Sequence, residues 1–112
     1  MNRDINLFID DILENIKDIE FFSKGLTKGK FRDNKLKQNA IIRSLEIIGE
    51  AVKNIPDSFR NKHQNIPWRK IAGFRDILSH VYFGVNMDRV WNIIEKDLPN
   101  LKKDIEKIKI DD

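Results

Sequence analysis

Along most of this chain apolar residues return every three or four positions, and no segment alternates as a strand would. In DINLFIDDILENIKDIEFFSKG, Ile5, Phe8, Ile12, Ile16, Ile19 and Phe22 keep that interval, the period of an α-helix, and Gly25 follows as a natural C′ residue. A second helix starts at Asp33 or Asn34 as N-cap and runs to Ile55, where Pro56 stops it. At about 100° per residue, Ala40, Ile41, Ser44, Leu45, Ile48, Ala51, Val52 and Ile55 fill one arc, which Ile42, Ile47 and Gly49 widen. Arg43, Glu46, Glu50, Lys53 and Asn54 crowd into a narrow opposite stripe. So wide an apolar arc implies burial on two sides, which a core plus a dimer interface would satisfy.

Pro67 fits the first position of a third helix, WRKIAGFRDILSHVY. Asn86 caps a fourth, with Val90, Trp91, Ile94, Leu98, Leu101, Ile105 and Ile108 as its seam; Pro99 should kink or restart it. LTKGKFRDN, without periodicity, reads as a basic loop, and PDSFRNKHQNIP as punctuation with room for one helical turn. The expected fold is all-α, an up-down bundle of four to five helices. A length of 112 residues fits one domain, 1–112.

Hydrophobic residues make up 40% and charged residues 35%, a globular composition. The net charge of +3, with Lys and Glu interspersed, permits nucleic-acid binding without arguing for it. The absence of cysteine excludes disulfides, thiolate zinc sites and cysteine nucleophiles. MNRDINLFID lacks the pattern of a signal peptide, and no apolar run approaches 18 residues. A cytoplasmic protein with no membrane contact is expected. The five glycines match no phosphate-loop spacing. His63 and His80, without cysteine or an HxxE pattern, make no metal site. His63 reads as a surface residue, and Trp68 and Trp91 as core or interface anchors.

The stretch RDILSHVY, 75–82, gathers chemistry at the end of the third helix. Arg75, Asp76, Ser79 and His80 share the face opposite Phe74, Ile77, Leu78 and Val81. Asp76 and His80, four apart, let a carboxylate orient the imidazole or raise its pKa. Arg75 and Tyr82, seven apart, nearly eclipse. Arg75 and His80 are five apart, hence about 140° apart on an ideal helix. Reaching one phosphate from both is awkward within one helix. Two antiparallel copies, or a helix ending near His80, would ease it. A solvated helix face with a histidine at a favourable C-terminus explains the same residues without chemistry. Arg43, Glu46 and Glu50 read as surface ion pairs, or as a stripe lining the same cleft as Arg75 and His80.

Arg75-Asp76-Ile77-Leu78-Ser79-His80-Val81-Tyr82 resembles the R-x4-H-x-Y signature of the HEPN superfamily, in particular the HepT-like toxins. LEIIGEAVKNIP (45–56) looks like that family's second-helix segment, and IPWRKIAGFRDILSHVYFGVNMDRVWNII (66–94), followed by DLPNLKKDI, is similar to its most recognisable block. The resemblance covers most of the chain. It implies a HEPN helical bundle working as a homodimer, with two R-x4-H motifs facing each other across a cleft. It implies metal-independent RNA cleavage by the toxin of a type VII-like HEPN/MNT toxin–antitoxin pair, with tRNA a known kind of target and no cofactor. Arg75 and His80 would be catalytic, with Asp76, Ser79, Glu50 and Arg43 supporting. A nucleotidyltransferase antitoxin would silence the toxin by transferring AMP onto Tyr82. The rival expectations are a non-catalytic substrate-binding or regulatory subunit of a minimal nucleotidyltransferase, and a helical dimer that serves only as a scaffold.

Overall fold

The computed structural model describes residues 3–75 and 86–111. These are helical throughout, with no strand among them: α1 (Arg3–Ser23), α2 (Lys28–Arg32), α3 (Lys35–Lys53), α4 (Asp57–Lys62), α5 (Trp68–Ala72), α6 (Met87–Asn92) and α7 (Leu98–Asp111), the last two joined by a π-helical turn, Ile93–Asp97. The fold class is all-α, as the periodicity requires.

The helix α1 buries Ile5, Ile9, Ile12, Leu13, Ile16 and Ile19 and packs along α3. The two run antiparallel. Lys37 near the start of α3 lies over the Phe22 ring near the end of α1, at 5.9 Å, while Phe8 and Asp11 meet the C-terminal half of α3. Gly25, at φ +77°, closes α1 as a C′ glycine should. Asn34 caps α3 by accepting from the Lys37 N–H at 3.0 Å, and Asn54 ends it. Beyond that end, Arg60 of α4 reaches back to donate to the Ile55 and Val52 carbonyls. The Val52 carbonyl, which also accepts from the Ile55 N–H at 3.1 Å, and the Ile55 carbonyl just beyond the helix thus gain a side-chain donor.

The wide apolar arc of α3 has its explanation within one chain. Ile41, Ile42, Ser44, Leu45, Ile48, Gly49, Ala51 and Val52 are all buried, because α1, α2 and α5 all pack against α3. A central helix needs apolar residues around most of its circumference, and no second copy is required to cover them.

Three expectations need correction. The basic stretch expected as a loop forms α2, whose Thr27 cap accepts from the Lys30 N–H at 3.2 Å. Phe31 then sits fully buried against Trp91, ring centroids 5.3 Å apart. A five-residue helix with one apolar anchor is too short to show a period. The third helix is interrupted: α5 ends at Ala72, Gly73 is a turn, and Phe74 and Arg75 are helical again. Gly73 keeps right-handed angles, φ −68° and ψ −13°, and donates to the Arg69 carbonyl at 3.0 Å; a Cβ there would stand 3.2–3.3 Å from the Lys70 and Arg69 carbonyl oxygens, a tight fit that asks its neighbours to give by a few tenths of an ångström. Pro67 caps α5 from outside instead of opening it. His63 is half-buried, its ring 4.6 Å from that of Phe59, and its carbonyl accepts from the Trp68 indole at 3.0 Å. Both tryptophans are buried, as expected of anchors.

Pro99 acts as expected of a helix irregularity, by a specific route. A proline inside a helix donates no hydrogen bond and crowds the carbonyl four residues back. Just before it, the Leu98 N–H bonds the Ile93 carbonyl five residues back. This single wide turn lets the helix continue, with Val90, Trp91, Leu98, Leu101, Ile105 and Ile108 still buried.

Candidate active site

Arg75, Glu50 and Arg43 meet at one cleft of about 340 Å³. Its floor and walls come from α3 through Arg43, Glu46, Ile47, Glu50, Ala51 and Asn54, from α1 through Phe8 and Asp11, and from Arg75. The exposed stripe of α3 therefore does line the same cleft as Arg75. Asp76, Ser79, His80 and Tyr82 lie outside the described residues.

Two features bring Arg75 against α3. Gly49 presents no side chain: a Cβ there would lie 3.5 Å from both the Arg75 Cβ and its backbone nitrogen. The two backbones approach closely enough to leave room for a methyl group and little more. The next residue, Glu50, then accepts from Arg75 Nη1 through Oε2 at 2.5 Å. Both side chains stay about half exposed, 51% for Arg75 and 56% for Glu50. An ion pair so open to water contributes at most about 1 kcal/mol to stability; its effect is to point the guanidinium along the cleft. Arg43, more exposed, leans toward Glu46 at 3.5 Å.

Among the described residues the cleft is not basic: Arg43 and Arg75 face Glu46, Glu50 and Asp11, two cations against three carboxylates. What it offers a ligand is a fork of guanidinium donors suited to a phosphate, with Phe8, Ile47 and Ala51 as apolar wall. Among the described residues no three His, Asp or Glu side chains gather as a metal site requires. Phe8, Asp11 and Asn54 had not been singled out as cleft residues. The signal was present: a short connection between two long helices makes them antiparallel, which sets the start of α1 beside the end of α3.

The HepT-like family, described as ribonuclease HepT-like, matches residues 12–108. The chain belongs to that family. It is 44% identical over 109 residues to Probable ribonuclease HepT of Thermococcus cleftensis, covering 97% of this chain and 99% of that one. It is 48% identical over 106 residues to Putative RNase MJ0127 of Methanocaldococcus jannaschii, 95% of this chain and 88% of the relative. The same organism's Gamma-glutamylcyclotransferase and putative RNase MJ0434 is 45% identical over 108 residues; that match takes in 96% of this chain but spans only 49%, about half, of the relative's length. No solved structure matches the chain. Membership of this family supports a ribonuclease function. Among the described residues, no helix is long and apolar enough to cross a membrane.

Proposed function

We propose that this HepT-like chain is a metal-independent endoribonuclease, the toxin of a HEPN/MNT toxin–antitoxin pair in the cytoplasm, working as a homodimer. The observation that carries the reading is the half-exposed Arg75 guanidinium, aimed along a cleft beside Arg43 by a carboxylate that a phosphate can replace. Arg75 holds the scissile phosphate and stabilises charge as it builds on the phosphoryl oxygens. The ribose 2′-oxygen attacks phosphorus as the bond to the 5′-oxygen breaks. One His80 takes the 2′-hydroxyl proton and the other gives a proton to the leaving oxygen, since an imidazole titrates near neutrality. The products are a 2′,3′-cyclic phosphate and a 5′-hydroxyl. No metal-bound water is needed, because the nucleophile belongs to the substrate.

The 140° between Arg75 and His80 on an ideal helix is the argument for two copies: each phosphate is gripped by groups from facing motifs. Glu50 and Arg43 position Arg75, with Asp76 orienting His80 and Ser79 beside it in sequence. RNA is the expected substrate class, with tRNA one kind of target. Silencing follows from Tyr82, seven residues from Arg75. Its phenolic oxygen attacks the α-phosphorus of ATP on the antitoxin and releases pyrophosphate. The AMP it then carries adds bulk and negative charge where RNA must pass.

The test is purified protein with total RNA in excess EDTA, with cleavage ends mapped. Cleavage to cyclic phosphate ends, lost in His80→Ala and in Arg75→Ala, is the expected result. RNA bound but uncut by the wild type, or cleavage that survives His80→Ala, refutes it and favours a non-catalytic subunit.

A further inference from the structure

Positive charge in this protein is concentrated at one end of the bundle, away from the cleft. Residues 24–37 hold Lys24, Lys28, Lys30, Arg32, Lys35 and Lys37 against Asp33 alone, six cations less one anion, or +5. The whole chain carries +3, so everything else sums to −2. The structure turns this segment into a platform. Thr27 caps α2, Phe31 anchors it in the core, and Gln38 donates to the Phe31 and Arg32 carbonyls at 2.9 and 2.8 Å, fixing α2 to α3. Asp88 engages Arg32 at 2.8 and 2.6 Å and Lys28 at 3.9 Å. Among the described residues Lys24, Lys30 and Lys35 make no ion pair, and all three are exposed. Phe21, 74% exposed and three residues before Lys24, stands edge-on to Phe22.

We infer that this basic end is the docking surface for the RNA substrate. The inference rests on the ribonuclease reading: RNA binds here and reacts at Arg75. Three observations support the assignment. Among its described lining residues the cleft has fewer cations than carboxylates, which supply no long-range attraction for a polyanion. The platform supplies it, with an exposed aromatic face of the kind on which unpaired bases stack. A continuous path joins the two. At about 100° per residue, Lys35, Asn39, Arg43, Glu46 and Glu50 fall within roughly 80° of one another on α3. All of them are exposed or half-exposed. From Lys35 to Glu50 the path is about 22 Å at 1.5 Å per residue, a span that a few nucleotides of single-stranded RNA cover.

The experiment replaces Lys24, Lys30 and Lys35 together by Glu, and in a second protein by Gln in case reversal impairs folding, with melting temperature as the control. Binding of fluorescently labelled single-stranded RNA is followed by anisotropy across a salt series, in a His80→Ala background. The wild-type slope of log affinity against log salt should flatten by about 2 in the Gln variant, roughly 0.7 for each phosphate that a lysine no longer neutralises. In the His80 protein, KM for long RNA should rise by on the order of tenfold while kcat/KM for a ribodinucleotide, too short to reach the platform, is unchanged. An unchanged salt slope overturns the inference, as does equal loss on dinucleotide and long RNA. So does loss of binding only to an acidic protein partner, which would make this a protein-docking face. Failure of the ribonuclease reading appears separately, as wild-type protein that binds RNA with the stated salt slope and cuts none.

Discussion

Replacing Gly49 tests how the site is assembled. Gly49 lies inside α3, where glycine is less favourable than alanine by about 0.8–1.0 kcal/mol. A Cβ there would meet the Arg75 Cβ and nitrogen at 3.5 Å and the Ile71 carbonyl oxygen at 3.6 Å. These are ordinary van der Waals separations, so Gly49→Ala fits without displacing anything. The variant should gain about 0.5–1 kcal/mol and melt roughly 3–6 °C higher in a chain of this length. Any larger side chain has no such room. Gly49→Leu must push α3 away from the Arg75 backbone, an overpacking cost of about 1–3 kcal/mol, and it withdraws Glu50 from Arg75. The assay is urea denaturation of wild type, Gly49→Ala and Gly49→Leu, with cleavage of RNA measured on each. The expected order of stability is Ala above Gly above Leu, with cleavage kept in Ala and lost in Leu. A Gly49→Ala protein less stable than wild type would refute the account of the close approach. So would a Gly49→Leu protein as active as wild type.

Two other substitutions probe what holds the helices in place. Arg60→Ala leaves the Val52 and Ile55 carbonyls without their side-chain donor and should cost about 1–3 kcal/mol by denaturation; Arg60→Lys, unable to fork, should recover only part. The Arg32 guanidinium bonded to Asp88 holds that carboxyl below its ordinary pKa; desolvation opposes this, and the charges of Arg32 and then of Lys28 add to the lowering. A carboxyl depressed in the folded state contributes stability above its unfolded pKa and loses it as pH falls through the folded one. Thermal melts of wild type should therefore weaken relative to Asp88→Asn as pH drops below about 4, and the two should converge in strong acid.

The long helices were legible because each repeats an apolar interval over many turns: Ile5 to Ile19, Ile41 to Val52, and Val90 to Ile108 across a proline. The short ones were not. One buried side chain anchors α2, Phe31, and a single apolar anchor cannot declare a period. The break at Gly73 was hidden for the opposite reason, since the apolar spacing continues through it from Ile71 to Phe74. The width of the α3 arc was read correctly as burial on more than one side, yet sequence could not distinguish three neighbours in one chain from a second copy. The cleft shows the same limit. Arg43 and Glu50 were visible as a polar stripe and Arg75 as part of a motif. Their meeting depends on how α3 crosses the Gly73 turn, a long-range fact that no local spacing contains.

If Arg75 holds phosphate as proposed, the charge pattern bears on why it should rest against a carboxylate. A free guanidinium on a long side chain samples many rotamers, and fixing it when substrate arrives costs side-chain entropy. Glu50 fixes it beforehand. Because the pair is half exposed, its net strength is small, and a phosphate presenting two oxygens to the same fork can take the carboxylate's place. Such an exchange discriminates against weak anions only if substrate affinity is supplied elsewhere; the cleft's described lining, three carboxylates and two arginines, does not supply it by local charge. Residues 24–37, +5 in sequence and offset in part by Asp88, remove the difficulty. Under the proposed reading, a polyanion held there raises the local concentration of phosphate at Arg75, so that a long RNA displaces Glu50 where a free nucleotide does not. Discrimination between RNA and the cell's small phosphates then lies in the separation of the two charged regions along α3.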